Sequence, residues 1–514
     1  GFDASVMKIM KELDGIKECL CTLNKLPKKC AAVIAPMFND ENITDGYFQR
    51  IQAIDQAVLF DFFRVYINMQ EDYTAPIQKS QFKISVYNSC MEINLDPRIK
   101  WQAWFLKKLI RKCTVAYVHC ALRMIFRSTG AAIRHALTCG NICIIWDVHG
   151  AVPEEFLMYE DLWGAQEARE SETFLARNAD VIVVVNEHMK RHLQNIYGNQ
   201  IRGTFVILPI FNLDIDKKLY SDEDKVVQTG EGLTVVYAGG LQRWQCIEEM
   251  QNAIEHFGDK ASYEMCVPEP EHFMEMWGGR KTPKALNVSE KNHEELFRSY
   301  RKCHMGFVLR KKSVVNEVAC PTKLIEYIQH GIIPIMDSPE VGDFVELGMQ
   351  YLSLNDFNKG IIPTAQQRSR IALLNLDVLG KLLQQNRRGV DQLRAAIARA
   401  PYRHRYFVQQ EKHKQEYAYI LRGKNNDEYI ENLFGCNEGR KLYLVIENPK
   451  CVSNLTVLEM CTIFCYRGIN INGQKYGGTD CDFKEFCERY GIQLLYDGKR
   501  KLTVHEFLAE EYTK

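Results

Sequence analysis

The chain has 514 residues, too many for one hydrophobic core, so two or three domains are expected. Its 65 basic and 65 acidic residues cancel, which argues against nucleic acid as a partner, since general binding needs a positive excess. Apolar residues make up 46% and charged residues 25%, as in an ordinary globular protein, and no apolar run is long enough to predict a membrane-spanning helix.

The first residues carry no basic-then-apolar leader pattern, and Gly1 stands where Met would begin a natural chain. A cytoplasmic protein, or a piece of a longer multidomain one, is the expectation. The 18 cysteines form no paired C-x-x-C pattern, so free thiols are expected rather than a zinc site or disulfides.

In chain order, residues 1–30 hold an amphipathic helix with Val6, Ile9, Met10, Leu13, Ile16, Leu20 and Leu23 at helical spacing. It either packs on the body or continues a coiled coil. Residues 31–212 alternate apolar runs with helical stretches: 31–37, 83–87, 115–119, 143–148 and 181–185 read as strands. That alternation predicts a parallel sheet with helices on both faces. Thr44 or Asp45 caps the helix after the first strand. The basic, aromatic segment 98–112 is compatible with a membrane surface or a lipid-linked acceptor, and equally with a helix packed on the sheet.

After a polar linker at 212–225, residues 213–360 repeat the scheme, with strands at 234–238, 263–267, 305–309, 332–336 and 350–352. The fold class is therefore α/β, two Rossmann-like domains facing a cleft. His149, Gly239 and Arg310 all follow predicted strand ends, where ligands sit in open α/β sheets. Residues 361–435 read as helical and polar, packing back on the core. Residues 436–514 read as a small appended α/β module, with strands at 441–447 and 493–496 and helices at 454–467 and 483–490.

The stretch from Cys320 to Pro334 predicts one short helix and then a strand. Pro321 suits the first helical position, Lys323 is a mobile cation in the first turn, Glu326 lies one turn on, and Gly331 closes the helix. A helix start beside a lysine suits a phosphate, and a carboxylate one turn later suits a sugar hydroxyl. The same spacing also fits an ordinary capped helix with both charges solvated.

Asn316 to Tyr327, with Phe307–Arg310 before it and Gly331–Ile335 after it, resembles the donor-binding segment of the retaining nucleotide-sugar glycosyltransferases of family 4. Val235–Ile247 resembles the strand, glycine turn and basic loop that open their second domain. Ile144–Gly150, followed by Pro153-Glu154-Glu155, resembles a segment of their first domain. The resemblance spans roughly residues 31 to 360 and implies the GT-B architecture. It also implies sugar transfer from a UDP- or GDP-linked donor to a glycan or lipid-linked acceptor, in a setting similar to bacterial surface-polysaccharide synthesis. Neither a cofactor nor a metal is implied, and peripheral contact at the inner membrane face stays open.

Carried over, the resemblance makes Glu326 the holder of the ribose hydroxyls and His149 a contact of the donor sugar. Gly239, Gly240, Arg310, Pro321 and Thr322 fall in the nucleotide-sugar site, and Lys323 with Arg243 supply positive charge to the leaving phosphate. The family places an arginine directly after its first glycine, where this chain has Gly240; Arg243 is the nearest cation. The family's second glutamate, which touches the donor sugar, falls on Val318, and Glu317, one residue out of phase, is the candidate carried into the nucleotide-sugar site in its place. Asp45, Gly46, Tyr47 and Glu154 lie where acceptor loops lie in that fold, although Glu154 and Glu155 also suit a helix cap. Two other classes stay open: a glycosyltransferase-like binding module without turnover, and a nucleotide-sugar epimerase on the same fold.

Overall fold

The computed structural model describes residues 2–41, 45–69, 82–121, 127–138, 142–209 and 232–399, and four short strands beyond them. Helix α1 (Phe2–Lys25) precedes β1 (Cys30–Ile34), α2 (Gly46–Ala57), β2 (Phe63–Met69), β3 (Lys83–Val86), β4 (Cys90–Leu95) and α3 (Lys100–Lys112). Then come β5 (Val115–His119), α4 (Arg127–Thr138), β6 (Cys143–Val148), α5 (Val152–Met158), α6 (Leu162–Asn178), β7 (Val181–Val184), α7 (Glu187–Tyr197) and β8 (Thr204–Ile207). These strands form one sheet in the order β3-β4-β2-β1-β5-β6-β7-β8.

The strands β1, β5, β6 and β7 are buried along their whole length, which is why they read as unbroken apolar runs. The sheet departs from the all-parallel expectation at one edge, where β3 runs antiparallel to β4. β2 and β4 were not expected, because Arg64, Asn68, Glu92 and Asn94 interrupt their apolar residues. The segment 98–112 resolves as α3, whose Gln102, Phe105, Leu106, Leu109 and Ile110 are buried against the sheet. The packed-helix reading holds for that face.

The second sheet runs β11-β10-β9-β12-β13-β14. Its strands are β9 (Leu233–Ala238), β10 (Ala261–Cys266), β11 (Leu286–Ser289), β12 (Met305–Phe307), β13 (Ile333–Met336) and β14 (Leu352–Ser353). Between them lie α8 (Ile247–Phe257), α9 (Pro270–Trp277), α10 (His293–Tyr300), α11 (Val314–Glu317) and α12 (Thr322–Gln329), and after them α13 (Leu354–Asn358) and α14 (Ala365–Arg399). All pairings in this sheet are parallel. The polar alternation Leu-Asn-Val-Ser hid the edge strand β11.

Helix α14 ties the halves together. Val378, Leu379 and Leu382 pack in the second-domain core, while Leu393 packs in the first. Val315 and Val318 of the second half also enter the first-domain core.

Farther on, β15 (Glu416–Leu421) pairs in parallel with β16 (Lys441–Ile446), and β17 (Ile469–Ile471) forms an antiparallel hairpin with β18 (Gln474–Tyr476). β15 corrects the helical reading of 361–435, and its pairing joins chain on both sides of 435. The elements expected at 212–225, 454–467, 483–490 and 493–496 lie outside the described residues. Among the described residues the cysteines are free thiols. No described helix is long and apolar enough to cross a membrane.

Candidate active site

The second-domain wall is built where β9 and β12 end. β9 runs into the turn Gly239–Gly240, and a Cβ on Gly239 would stand 2.7 Å from the Lys323 ammonium. Glycine is what lets that ammonium sit in the turn. The Tyr237 hydroxyl donates to the Gly240 carbonyl at 2.5 Å. Lys323 is not the mobile surface cation expected from the sequence. It is buried, donates to Oε1 of Gln245 at 2.6 Å and lies 4.3 Å over the Tyr237 ring. Burial first, and then the charge of Arg310, drives its pKa well below the usual lysine range.

Arg310 is also buried. Its backbone N–H donates to Asp337 Oδ1 at 2.8 Å, and Nη1 reaches the amide oxygen of Asn316 at 3.3 Å. Its Nε has no partner. Burial lowers even this guanidinium's pKa. Neither cation forms an ion pair with a carboxylate among the described residues. Two buried basic groups without an ion-pair partner share this wall, and an anion placed between them would favour the charged form of both.

Helix α12 opens beside them. Pro321 is its N-cap (φ −65°, ψ 123°), one position earlier than expected, and no side chain caps the start. The first N–H groups of a helix have no intrahelical partner, so this end adds donors and a positive dipole end. Gly331 takes φ +68° and closes the helix as expected. One turn in, Glu326 accepts from the Tyr300 hydroxyl at 3.0 Å. Burial raises its pKa to about 7, against the pull of Tyr300 and Lys323.

The first-domain wall presents His149 just after β6. Its Nε2 lies 3.3 Å from Nδ1 of His119 at the end of β5 and 3.9 Å from Asp147 Oδ2. Tyr47 packs 5.0 Å from the His149 ring and donates its hydroxyl to the His119 carbonyl at 3.2 Å. Behind them, Arg50 grips both Asp147 oxygens at 3.0 and 3.1 Å, and Tyr117 adds a 2.7 Å bond. Burial pushes the Asp147 pKa up, but Arg50, His149 and His119 outweigh it and hold it at about 2.

His119 is kept neutral mainly by burial, and then by His149. Its Nε2 is buried without a partner. An orphaned lone pair is tolerated better than an orphaned N–H, so the His119 proton belongs on Nδ1, donated to His149. His119, Asp147 and His149 bring ligand-type atoms within 4.8 Å of one another. However, the Asp147 carboxylate is already engaged by a guanidinium that opposes a second cation. The trio reads as the support that orients His149.

The two walls meet. A Cβ on Gly46 would lie 3.3 Å from the Thr322 methyl. Asn186 Nδ2 donates to the carbonyls of Val318 and Ala319 at 3.1 and 3.2 Å. Arg243 does not reach the phosphate wall. Its Nη1 donates to the Met158 carbonyl at 2.9 Å, its N–H to the Tyr159 hydroxyl at 3.1 Å, and its guanidinium sits 5.5 Å over that ring. It clasps the domains.

Asp45 caps α2 by accepting from the Tyr47 N–H at 2.9 Å, so its carboxylate is already engaged. Glu154 turns away into the first domain, bonded to His192 at 3.2 Å and Arg169 at 3.5 Å. These partners outweigh burial and hold its pKa low. Its neighbour Glu155 faces the other way: its Oε1 lies 2.6 Å from where a Gly150 Cβ would be. Burial and the charge of Glu154 raise its pKa to about 7, and Arg310 pulls it back. Glu317 is half-buried at the end of α11, and Val318 is a buried strut between the domains.

Tyr300, Tyr237, Gln245 and His119 were not singled out from the sequence, because each acts through a partner distant along the chain.

Residues 79–209 match the family described as Glycosyltransferase Family 4. This match, to a segment of the first domain, is a similarity to that family. The structure is similar to that of Anabaena HepE in complex with UDP-glucose, with a TM-score of 0.51, 10% identity, and 71% of this chain and 99% of that chain covered. That likeness shows the GT-B fold. Similarities also extend to an alpha,alpha-trehalose-phosphate synthase (UDP-forming) from Burkholderia vietnamiensis (TM-score 0.49, 12% identity, 73% and 99% covered). A sucrose-phosphate synthase from Thermosynechococcus elongatus scores 0.41 at 14% identity, with 72% and 94% covered. No curated protein sequence matches the chain.

Proposed function

We propose that this protein is a glycosyltransferase, retaining and metal-independent, of the hexosyltransferase type. It moves a sugar from a UDP- or GDP-linked donor to a glycan or lipid-linked acceptor. The observation that carries the reading is the pair of buried cations, Arg310 and Lys323, without acidic partners beside an uncapped helix start. A diphosphate would satisfy all three at once.

Transfer breaks the bond between the anomeric carbon and the diphosphate oxygen. Negative charge grows on that oxygen, and Arg310, Lys323 and the α12 N–H groups stabilise it where they already stand. Glu326 accepts from the ribose hydroxyls. His149 reaches the sugar from the opposite wall, held by His119 and Asp147, so catalysis needs the closed arrangement. The acceptor hydroxyl attacks on the face the diphosphate leaves, and the departing phosphate takes its proton.

The test is a thermal-shift screen of nucleotides, then proton NMR of the transfer product with excess EDTA. UDP or GDP at about 100 times its dissociation constant should add about 2.7 kcal/mol of stability. The product should keep the donor's anomeric configuration and form undiminished in EDTA. An inverted product, or activity lost to EDTA and restored by Mn²⁺, overturns the mechanism.

A second reading, a binding module without turnover, is favoured by one observation. Val318 stands where the family has a glutamate, and it is buried in the domain junction. Nucleotide binding without sugar release from any donor would establish that reading.

A further inference from the structure

Three acidic side chains of the first-domain wall are already engaged. Asp147 is gripped by Arg50, Asp45 caps α2, and Glu154 is bonded to His192 and Arg169. Glu155 differs from them. It is half-buried on α5, and its carboxyl makes no hydrogen bond or ion pair among the described residues.

Its place is fixed from both sides of the cleft. Oε1 lies 2.6 Å from where a Cβ on Gly150 would stand, so the carboxyl rests against the residue that follows His149, and glycine leaves it the room. From the second domain, α11 packs on α5, and Val315 and Val318 enter the first-domain core. Arg310 and Glu155 each draw the other toward its charged form, yet the two make no ion pair. The carboxyl therefore stands between the histidine that faces the sugar and the arginine that faces the phosphate.

A half-buried carboxyl without a donor carries a free-energy penalty that a bound donor group removes. A diphosphate cannot supply one. Its oxygens carry no protons when ionised, and they repel a carboxylate. The group attached to the diphosphate, next to His149, is the sugar, and its hydroxyls are donors. We propose that Glu155 binds the hydroxyls of the transferred sugar, so that the first domain supplies the acidic contact that selects it; this rests on the transfer reading.

The experiment is calorimetry of the full chain with four probes: UDP, UDP-glucose, GDP and GDP-mannose. The quantity read is what the sugar adds to the affinity of its nucleotide. Glu155→Ala should weaken the nucleotide sugar by about tenfold or more, the scale of a hydrogen bond to a charged group. The bare nucleotide should bind as tightly as before or more tightly, because a negative charge near Arg310 is gone. Glu155→Gln keeps the size of the side chain and an acceptor oxygen, so it should fall between the parent and Glu155→Ala, and it controls for a local collapse of α5. An unchanged sugar contribution in both variants overturns the proposal. So does a parallel loss of nucleotide and nucleotide sugar, which would make Glu155 a support of the helix. A parent chain that binds none of the four probes overturns the transfer reading itself, and this proposal with it.

Discussion

In the first domain, the buried guanidinium of Arg50 meets both oxygens of Asp147 and the carbonyl of Pro209 at 2.8 Å. Arg169, equally buried, joins Glu154 and Tyr197. In the second domain, Arg310 and Lys323 are also buried, but their side chains hydrogen-bond to neutral amides and form no ion pair among the described residues. A paired buried charge fixes structure, whereas an unpaired one is an open requirement that a ligand meets. The first domain thus uses its internal charge to hold His149 in place. The second keeps its charge for the donor.

The largest effect should come from breaking the paired side. Arg50→Met strands Asp147 as a buried carboxylate and should cost about 3–5 kcal/mol of stability in a denaturant titration. Adding Asp147→Leu should recover most of it, because an apolar pair replaces an ionic one. If Arg50→Met alone leaves stability unchanged, the two domains do not differ as described.

On the unpaired side the outcome should invert. Arg310→Met removes a buried charge that has no acidic partner, so the free protein should keep or gain stability. Nucleotide diphosphate affinity should fall by about 1.5–3 kcal/mol, the scale of a hydrogen bond to a charged group, read by calorimetry. A large loss of stability in the free variant would mean that Arg310 is structural.

A smaller effect separates the walls kinetically. His149→Ala should leave nucleotide diphosphate affinity near that of the parent, since that group binds the other domain. Turnover of the correct donor should fall at least about tenfold, or 1.4 kcal/mol of barrier. Normal turnover would remove His149 from the chemistry.

What the sequence revealed follows from this contrast. Strands buried on both faces announce themselves by composition, as Val181-Ile182-Val183-Val184 does. Strands with a polar alternation, such as β4 and β11, do not. The glycine turn, the α12 start and Glu326 were legible because their geometry is local. The fate of a charge was not, because its partner is remote: Arg50 and Asp147 lie 97 positions apart, and Arg243 and Met158 lie 85 apart. Glu154 and Glu155 are adjacent in sequence yet point about 100° apart on a helix. Only the fold shows that the first turns into the domain and the second toward Gly150.

The smallest effect is a pH dependence that isolates Glu326. Its pKa in the folded chain is about 7, mainly through burial, against an ordinary 4.5. Between those values the folded protein holds a proton that the unfolded chain has released. Folding stability therefore declines as pH rises from 4.5 to about 7, and this contribution is level above that. Glu326→Gln cannot ionise and escapes the decline. Its thermal midpoint relative to the parent should climb across that window and then hold steady. Nucleotide affinity should move the opposite way. The ionised carboxylate is the better acceptor for ribose hydroxyls, so the parent should bind more tightly as pH passes through about 7. The variant should bind more weakly and lose that slope. Glu155 also titrates near 7, but it is present in both proteins and drops out of the difference. Parallel pH profiles for the two proteins would show that Glu326 does not hold the nucleotide, while leaving the anion demand of Arg310 and Lys323 in place.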